Sequence, residues 1–186
     1  MEDKIKKIIR GKERSMGETD FVWNHTQRVR KLCKVLANKE GVEDRLLDTA
    51  AILHDISKID CLGKEDRHAH VGADISKEFL TEFDDTDKKK ILNIIRKHSD
   101  KGSGGTIEEQ ILQDADYLDK FGAVGIGTFF IKAGLFGKTH QDFLKKDFSE
   151  GLQKLNTKSA KEMFEQRVKF MRVFSERLES ELEGLE

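Results

Sequence analysis

Proline is absent from all 186 residues, and tryptophan and tyrosine occur once each. Without proline, helix ends must be set by glycine and polar caps, and Gly11, Gly41, Gly102 and Gly137 stand where such ends are expected. Cysteine is scarce as well. Cys33 and Cys61 form no CxxC pair, so a disulfide framework is excluded and a reducing cytoplasm is the expected compartment. Cys33 shares a helical face with Val22, Val29 and Leu36, which marks it as packing. No charge of either sign predominates, with 34 Lys and Arg against 35 Asp and Glu. That balance excludes the strong positive field of a protein that coats nucleic acid, so no polynucleotide partner is expected. Long hydrophobic runs are missing too. The uncharged stretch from Phe121 to Ile131 is far too short to span a bilayer, and the N-terminus carries no apolar core of signal-peptide length, so no membrane partner is expected.

What the chain does have is charge, 12 phenylalanines and a helical rhythm. Mean hydropathy is −0.61, as expected of well-solvated helix faces. Apolar residues recur at spacings of three and four almost everywhere, and sustained alternation is absent. The spacing predicts helices near 3–11, 19–40, 43–58, 68–82, 86–99, 106–121, 122–135, 140–155 and 158–183. Thr19-Asp20 is the expected cap of the second, and Thr106, followed by Glu108 and Glu109, the expected start of the sixth. The last carries Phe164, Val168, Met171, Phe174, Leu178 and Leu182 along one side, a stripe that calls for core packing. No repeat or low-complexity linker divides the chain. The reading is one all-α domain over 1–186, with a motif-bearing core at 19–131 and packing helices at 140–183. Two polar loops, 60–67 and 100–105, adjoin histidines and are expected to flank the opening of a site.

Five of the six histidines fall between positions 25 and 98. In Thr49–Lys58, TAAILHDISK, an adjacent His54-Asp55 pair follows an apolar helical stretch. Neighbours on a helix point roughly 100° apart, so the two can share an ion only at a helix end or between helices. His25 lies on an inward-facing stretch just beyond Trp23. Asp114, Asp116 and Asp119 share two turns with Ile111, Leu112, Ala115 and Leu118 and cannot all reach solvent. Buried carboxylates need a partner, and a divalent cation is an economical one. Imidazole with carboxylate suits Mn, Fe, Zn, Ni or Co, and Mg less well.

The order His25-x-x-Arg28-Val29, then Leu53-His54-Asp55-Ile56-x-Lys58, then Ala115-Asp116-x-Leu118 resembles the HD-domain superfamily of metal-dependent phosphohydrolases. More narrowly, ILQDADYLDKFGAVGI at 111–126 resembles the small stand-alone bacterial members. The resemblance implies a helical bundle of the HD-domain type and a divalent ion held by His25, His54, Asp55 and Asp116, with Asp114 orienting a ligand from behind. His68, in HAHVGADI, resembles the HPxxGAxI segment of relatives that hold a second metal, with Ala69 in place of proline. His98 stands where the same relatives place a histidine. These two are expected to face substrate phosphate or hold a second ion. Asp55 is also read as a proton acceptor and Lys58, one helical turn after His54, as a phosphate ligand, with Arg28 a weaker candidate. His70 is read as solvent-facing, and His140 lies outside every motif.

The resemblance implies a nucleotide or other small phosphorylated metabolite as substrate, with nucleoside triphosphate pyrophosphohydrolysis as the specific form. Rival readings are a phosphodiesterase acting on a dinucleotide or nucleic acid, an oxygenase at a di-iron site, and a non-catalytic nucleotide-binding module. GLFGKT at 134–139 is no P-loop, because its first glycine would fall at Lys132 and no strand precedes it. Gly125-Ile126-Gly127 meets Phe130 where a dinucleotide fold needs glycine, and is read as close helix packing. The sequence leaves the identity and number of ions and the oligomeric state open.

Overall fold

A computed structural model describes residues 1–15, 20–64 and 67–185. Among these, helices are the only extended regular elements and no strand occurs. In order they are α1 (Glu2–Ser15), α2 (Phe21–Glu40), α3 (Arg45–Leu53), α4 (His68–Ser76), α5 (Asp85–Lys97), α6 (Ile107–Leu118), α7 (Gly122–Leu135), α8 (His140–Leu144) and α9 (Lys158–Leu182). Short 3-10 turns cover Ile59–Cys61, Lys77–Phe79 and Ser149–Lys154. None of the described helices is long and apolar enough to cross a membrane.

The nine-residue α3 is the hub. Leu47, Ala50, Ala51, Ile52 and Leu53 are all buried, and α1, α2, α4, α5 and α6 pack around it. Ala50 and Ala51 let neighbouring helices approach closely, and each larger buried side chain contributes about 1.5–3 kcal/mol of hydrophobic stabilisation. The main core also takes in Ile5 and Ile9 of α1, Ile91 and Ile95 of α5, and Phe164 and Val168 of α9. A second cluster joins Ile126 of α7, Phe143 of α8 and Met171 of α9, with Phe129, Phe130, Phe148 and Phe174 around it. Of the C-terminal stripe, Phe164, Val168, Met171, Phe174 and Leu178 pack into these two clusters, whereas Leu182, at the end of the helix, is exposed.

Several ends differ from the sequence expectation. α1 runs through Gly11 to Ser15, because nothing in the fold turns the chain there. Thr19 lies outside the described residues. Asp20 does not cap α2; it takes a left-handed φ of 54° and accepts a hydrogen bond from Arg10 at 2.5 Å. The first amides of α2 instead donate to buried Glu13 of α1, Val22 N to one oxygen and Trp23 N to the other at 3.4 Å. α3 stops at Leu53 rather than 58, and tight turns follow, with Ile56 N bonding Leu53 O at 3.1 Å and Lys58 N bonding Asp55 O at 3.0 Å. The expected helix over 140–155 shrinks to α8 and a 3-10 turn. There, Gly151 lies so close to the Phe164 ring that a Cβ would meet it at 2.3 Å. α6 starts as expected: Glu109 N donates to Thr106 Oγ1 at 3.3 Å and Thr106 N to Glu109 Oε2 at 3.1 Å. Gly125 sits against the Lys120 carbonyl at the α6–α7 turn, whereas Gly127 faces open space, so only the first needs to be small.

Candidate metal centre

The early end of α3 makes the site. His54 caps the helix, and the turn after it swings Asp55 over the helix end, so the pair need not share one helical face. α4 is pressed onto this turn. Ser57 Oγ donates to the His68 carbonyl at 2.7 Å, and a Cβ on Gly72 would meet the His54 carbonyl at 3.3 Å. His25 comes from α2, His68 from the first position of α4, His98 from the C-cap of α5, and Asp116 from α6.

All six groups meet. His25 Nε2 lies 3.0 Å from Asp116 Oδ1 and 3.6 Å from Asp55 Oδ2, and His54 Nε2 lies 3.7 Å from the same Asp55 oxygen. The other Asp55 oxygen, Oδ1, faces His68 Nε2 at 3.3 Å and His98 Nε2 at 3.5 Å. Those two imidazole nitrogens are 2.9 Å apart, a separation that a shared proton or cation must bridge. His25, His54 and Asp116 each present one donor atom within 4.8 Å of the others, and so do His54, Asp55 and His98. His54 belongs to both groups, and Asp55 turns one oxygen toward His25 and His54 and the other toward His68 and His98.

The tautomers are set from behind. His54 Nδ1 lies 2.7 Å from the Ala51 carbonyl, and His98 Nδ1 2.7 Å from the Ile95 carbonyl. A carbonyl only accepts, so both Nδ1 atoms carry hydrogen, leaving lone pairs on Nε2. His25 Nδ1 is held at 2.8 Å by Asp119 Oδ2. His54 Nε2 and Asp55 Oδ1 are both buried without a hydrogen-bond partner. Two acceptors orphaned in a dry pocket are costly unless a cation stands between them. With four imidazoles and two carboxylates as donors, the cluster fits a divalent ion of the kind that takes mixed nitrogen and oxygen ligands.

Charge follows the same layout. Burial pulls the His54 imidazole down to about 4, which keeps its lone pair available. Burial opposes protonation of His25 as well, but Asp116 and Asp119 outweigh it and push that group up to about 9. Burial would raise Asp55 and Asp116; His54, His98 and Lys58 overcome it for the first, and Lys101, Lys120 and His25 for the second. Both stay well below the usual carboxylate range.

Lys58 Nζ is 3.3 Å from His68 Nε2 and 3.8 Å from Asp55 Oδ1, reached through the turn rather than along a helix face. Arg28 does not stand free for phosphate. Its guanidinium is spent on Asp119, Nε to Oδ1 and Nη2 to Oδ2, both at 2.8 Å. Asp114 does not orient a ligand. One oxygen accepts from the backbone N and Nδ2 of Asn156, and the other from Thr157 N and Oγ1, so it anchors the start of α9. His70 is exposed, and His140 lies 5.4 Å from the Phe130 ring, remote from the cluster in sequence and in contacts. Two residues enter the site to which the sequence reading gives no role of their own, although it marks Asp119 as one of three acids that cannot all reach solvent. Asp119 orients His25, and Lys101, from the 100–105 loop, bonds Asp116 Oδ2 and the His98 carbonyl. Asp119 carries a readable signal, since it lies one turn from Asp116 as Arg28 lies one turn from His25. Lys101 carries none. Of the 60–67 loop, Asp60 pairs with Lys12 of α1, while Glu65 and Asp66 lie outside the described residues.

Known proteins resemble this chain in sequence and in fold. The HD domain family model matches residues 22–120, which hold every group of the cluster. The uncharacterized protein YpgQ of Bacillus subtilis is 28% identical over 177 residues, covering 88% of this chain and 85% of that protein. Its crystal structure in complex with ADP superposes with a TM-score of 0.71 at 25% identity, covering all of both chains. A predicted HD superfamily hydrolase from an uncultured Thermotogales bacterium gives a TM-score of 0.72 at 26% identity, over 97% of this chain and 92% of that one. Ribonuclease Y of Oleidesulfovibrio alaskensis is 29% identical over 97 residues, 52% of this chain but 18% of that enzyme. With the motif order and the helical fold, these matches make the chain a member of the HD domain family, whose members are in general metal-dependent phosphohydrolases.

Proposed function

We propose that this protein hydrolyses a phosphate ester or phosphoanhydride bond in a nucleotide or other small phosphorylated metabolite, with a divalent ion held by His25, His54, Asp55 and Asp116. One observation carries the reading: His54 Nε2 and Asp55 Oδ1, both buried and without a hydrogen-bond partner, aim into the same cluster. When bound, a divalent ion there supplies positive charge against a phosphoryl oxygen and acidifies water near neutral pH.

The chain's own groups do the rest. His54 offers an Nε2 lone pair from a ring locked by the Ala51 carbonyl, and His25, its ring held by Asp119, would offer one once an arriving ion displaces its Nε2 proton. Asp55 turns Oδ2 toward these two and Oδ1 toward His68 and His98, where it can accept a proton from water. Lys58, with a third of its side chain exposed, stands at the edge of the cluster and suits a phosphate oxygen as it arrives. His68 and His98 face the phosphate or hold a second ion.

The nucleotide is favoured by the ADP complex of YpgQ, and nucleoside triphosphate pyrophosphohydrolysis is its specific form. Phosphodiester cleavage is the second reading, favoured by the similarity to Ribonuclease Y and by the two donor groups that share His54. Near-neutral charge weighs against a polynucleotide. The test is a screen for released phosphate and pyrophosphate over nucleotides, dinucleotides and sugar phosphates, each with Mn, Mg, Co, Ni and Zn. Turnover lost in Asp55→Ala is the expected result. No turnover with any pairing, or equal rates in wild type and variant, would sink the proposal.

A further inference from the structure

We propose that Lys101 is a resident cation of the metal centre, which shares Asp116 with the divalent ion and so limits how tightly that ion is held. The inference rests on the metal-centre reading above. Asp116 divides its oxygens: Oδ1 points at His25 Nε2, 3.0 Å away, and Oδ2 is bonded to the Lys101 ammonium. A second bond from the same ammonium to the His98 carbonyl fixes it at the junction of α5 and α6. Only 14% of the Lys101 side chain is exposed, so water and salt screen its charge weakly.

The loop that delivers Lys101 is built to stay put. Gly102 takes a φ of 70°, and a Cβ there would meet the Gln153 carbonyl at 2.9 Å. Gly104 N donates to Asn156 Oδ1 at 3.0 Å, and Asn156 is in turn fixed by buried Asp114 and by Gln113. A lysine that only solvates a loop needs no such scaffold. Its placement has a definite consequence. An ammonium on one oxygen of a carboxylate repels a divalent ion on the other, and the repulsion is large where both are desolvated. Lys120 supplies an internal comparison, since its ammonium lies 3.9 Å from the same Oδ2 but 56% of its side chain is exposed.

The experiment is calorimetric titration of Mn²⁺ alone into metal-stripped wild type, Lys101→Met, Lys101→Arg and Lys120→Met. Lys101→Met is expected to bind at least about tenfold more tightly, equivalent to about 1.4 kcal/mol. Lys101→Arg should stay near wild type, because it keeps the charge, and Lys120→Met should change less than about threefold. If Lys101→Met does not fold, Lys101→Gln carries the same expectation. Unchanged or weaker Mn²⁺ binding in the neutral variants overturns the proposal, since loss of a merely structural tie loosens the site. A wild type that binds no Mn²⁺ overturns the metal-centre reading itself, and this one with it.

Discussion

Arg28 and Asp119 face each other through two parallel hydrogen bonds of 2.8 Å, and the same carboxylate holds His25 Nδ1 at 2.8 Å. An arginine, an acid and an imidazole thus form a chain that ends on the His25 nitrogen facing Asp116. A fork-to-fork pair fixes the plane of the carboxylate as well as its place, and the carboxylate fixes the ring. The strongest effect of Arg28 on the site runs through His25.

Asp119→Asn should weaken Mn²⁺ binding by about 10- to 100-fold, the usual loss when the partner behind a ligating histidine goes. Arg28→Lys should weaken it in the same direction but less, because a lysine cannot make the paired contact. Titration of Mn²⁺ into the stripped variants measures both. If Asp119→Asn binds as wild type does, the His25 ring is oriented by packing alone.

Asp114 and Asp116 are two residues apart on α6, yet the structure assigns them separate work. Asp114→Ala leaves the amides of Asn156 and Thr157 and the Thr157 hydroxyl without their acceptor. At about 1 kcal/mol or more for each buried group stranded, the expected loss is roughly 3 kcal/mol. For a chain of this size that lowers Tm by about 6–12 °C. Mn²⁺ binding measured well below the new Tm should persist. A variant with unchanged Tm and lost metal would return Asp114 to the site.

Why one acid of the pair is a clamp cannot be seen in its own sequence neighbourhood. Its partners, Asn156 and Thr157, lie more than forty residues away at a bend between a 3-10 turn and α9. The helical period is readable because burial repeats every three to four residues, and it suffices for an all-α fold. The ends are less readable. α3 has an apolar pattern that runs on past His54, and it stops at Leu53, where α4 packs onto the following turn through Ser57 and Gly72. The His-Asp pairing is legible in the motif order, because a helix end is where adjacent side chains can converge. Lys101 is not, since a lysine in a glycine-rich loop looks like any solvated residue until Asn156 and Gln113 fix that loop.

Lys58→Ala should leave Mn²⁺ binding close to wild type while kcat/KM on the best substrate falls about 30- to 1000-fold. That range corresponds to roughly 2–4 kcal/mol for one charge-assisted contact in a partly dry site. The side chain touches His68 and Asp55 at 3.3 and 3.8 Å, near enough to reach a bound phosphate without being a ligand itself. Wild-type kinetics in the variant would reduce Lys58 to a solvated turn residue.

Asp55 turns an oxygen toward each half of the cluster, so its loss should be felt in two independent measurements. In wild type, an ion at 100 times its Kd stabilises the fold by about 2.7 kcal/mol, and a chelator should lower Tm by about 5–10 °C. In Asp55→Ala the buried oxygens between His25 and His54, and between His68 and His98, disappear together. The chelator-sensitive part of Tm should vanish, and turnover should fall to background. Asp55→Asn separates the two roles. It keeps one oxygen able to coordinate but replaces the other with an amide that cannot accept a proton, so it should retain part of the thermal shift with no turnover. Thermal melts with and without chelator, run beside the phosphate-release assay, distinguish the cases. An Asp55→Ala protein that keeps both its thermal shift and its activity would place the ion, and the chemistry, somewhere other than this cluster.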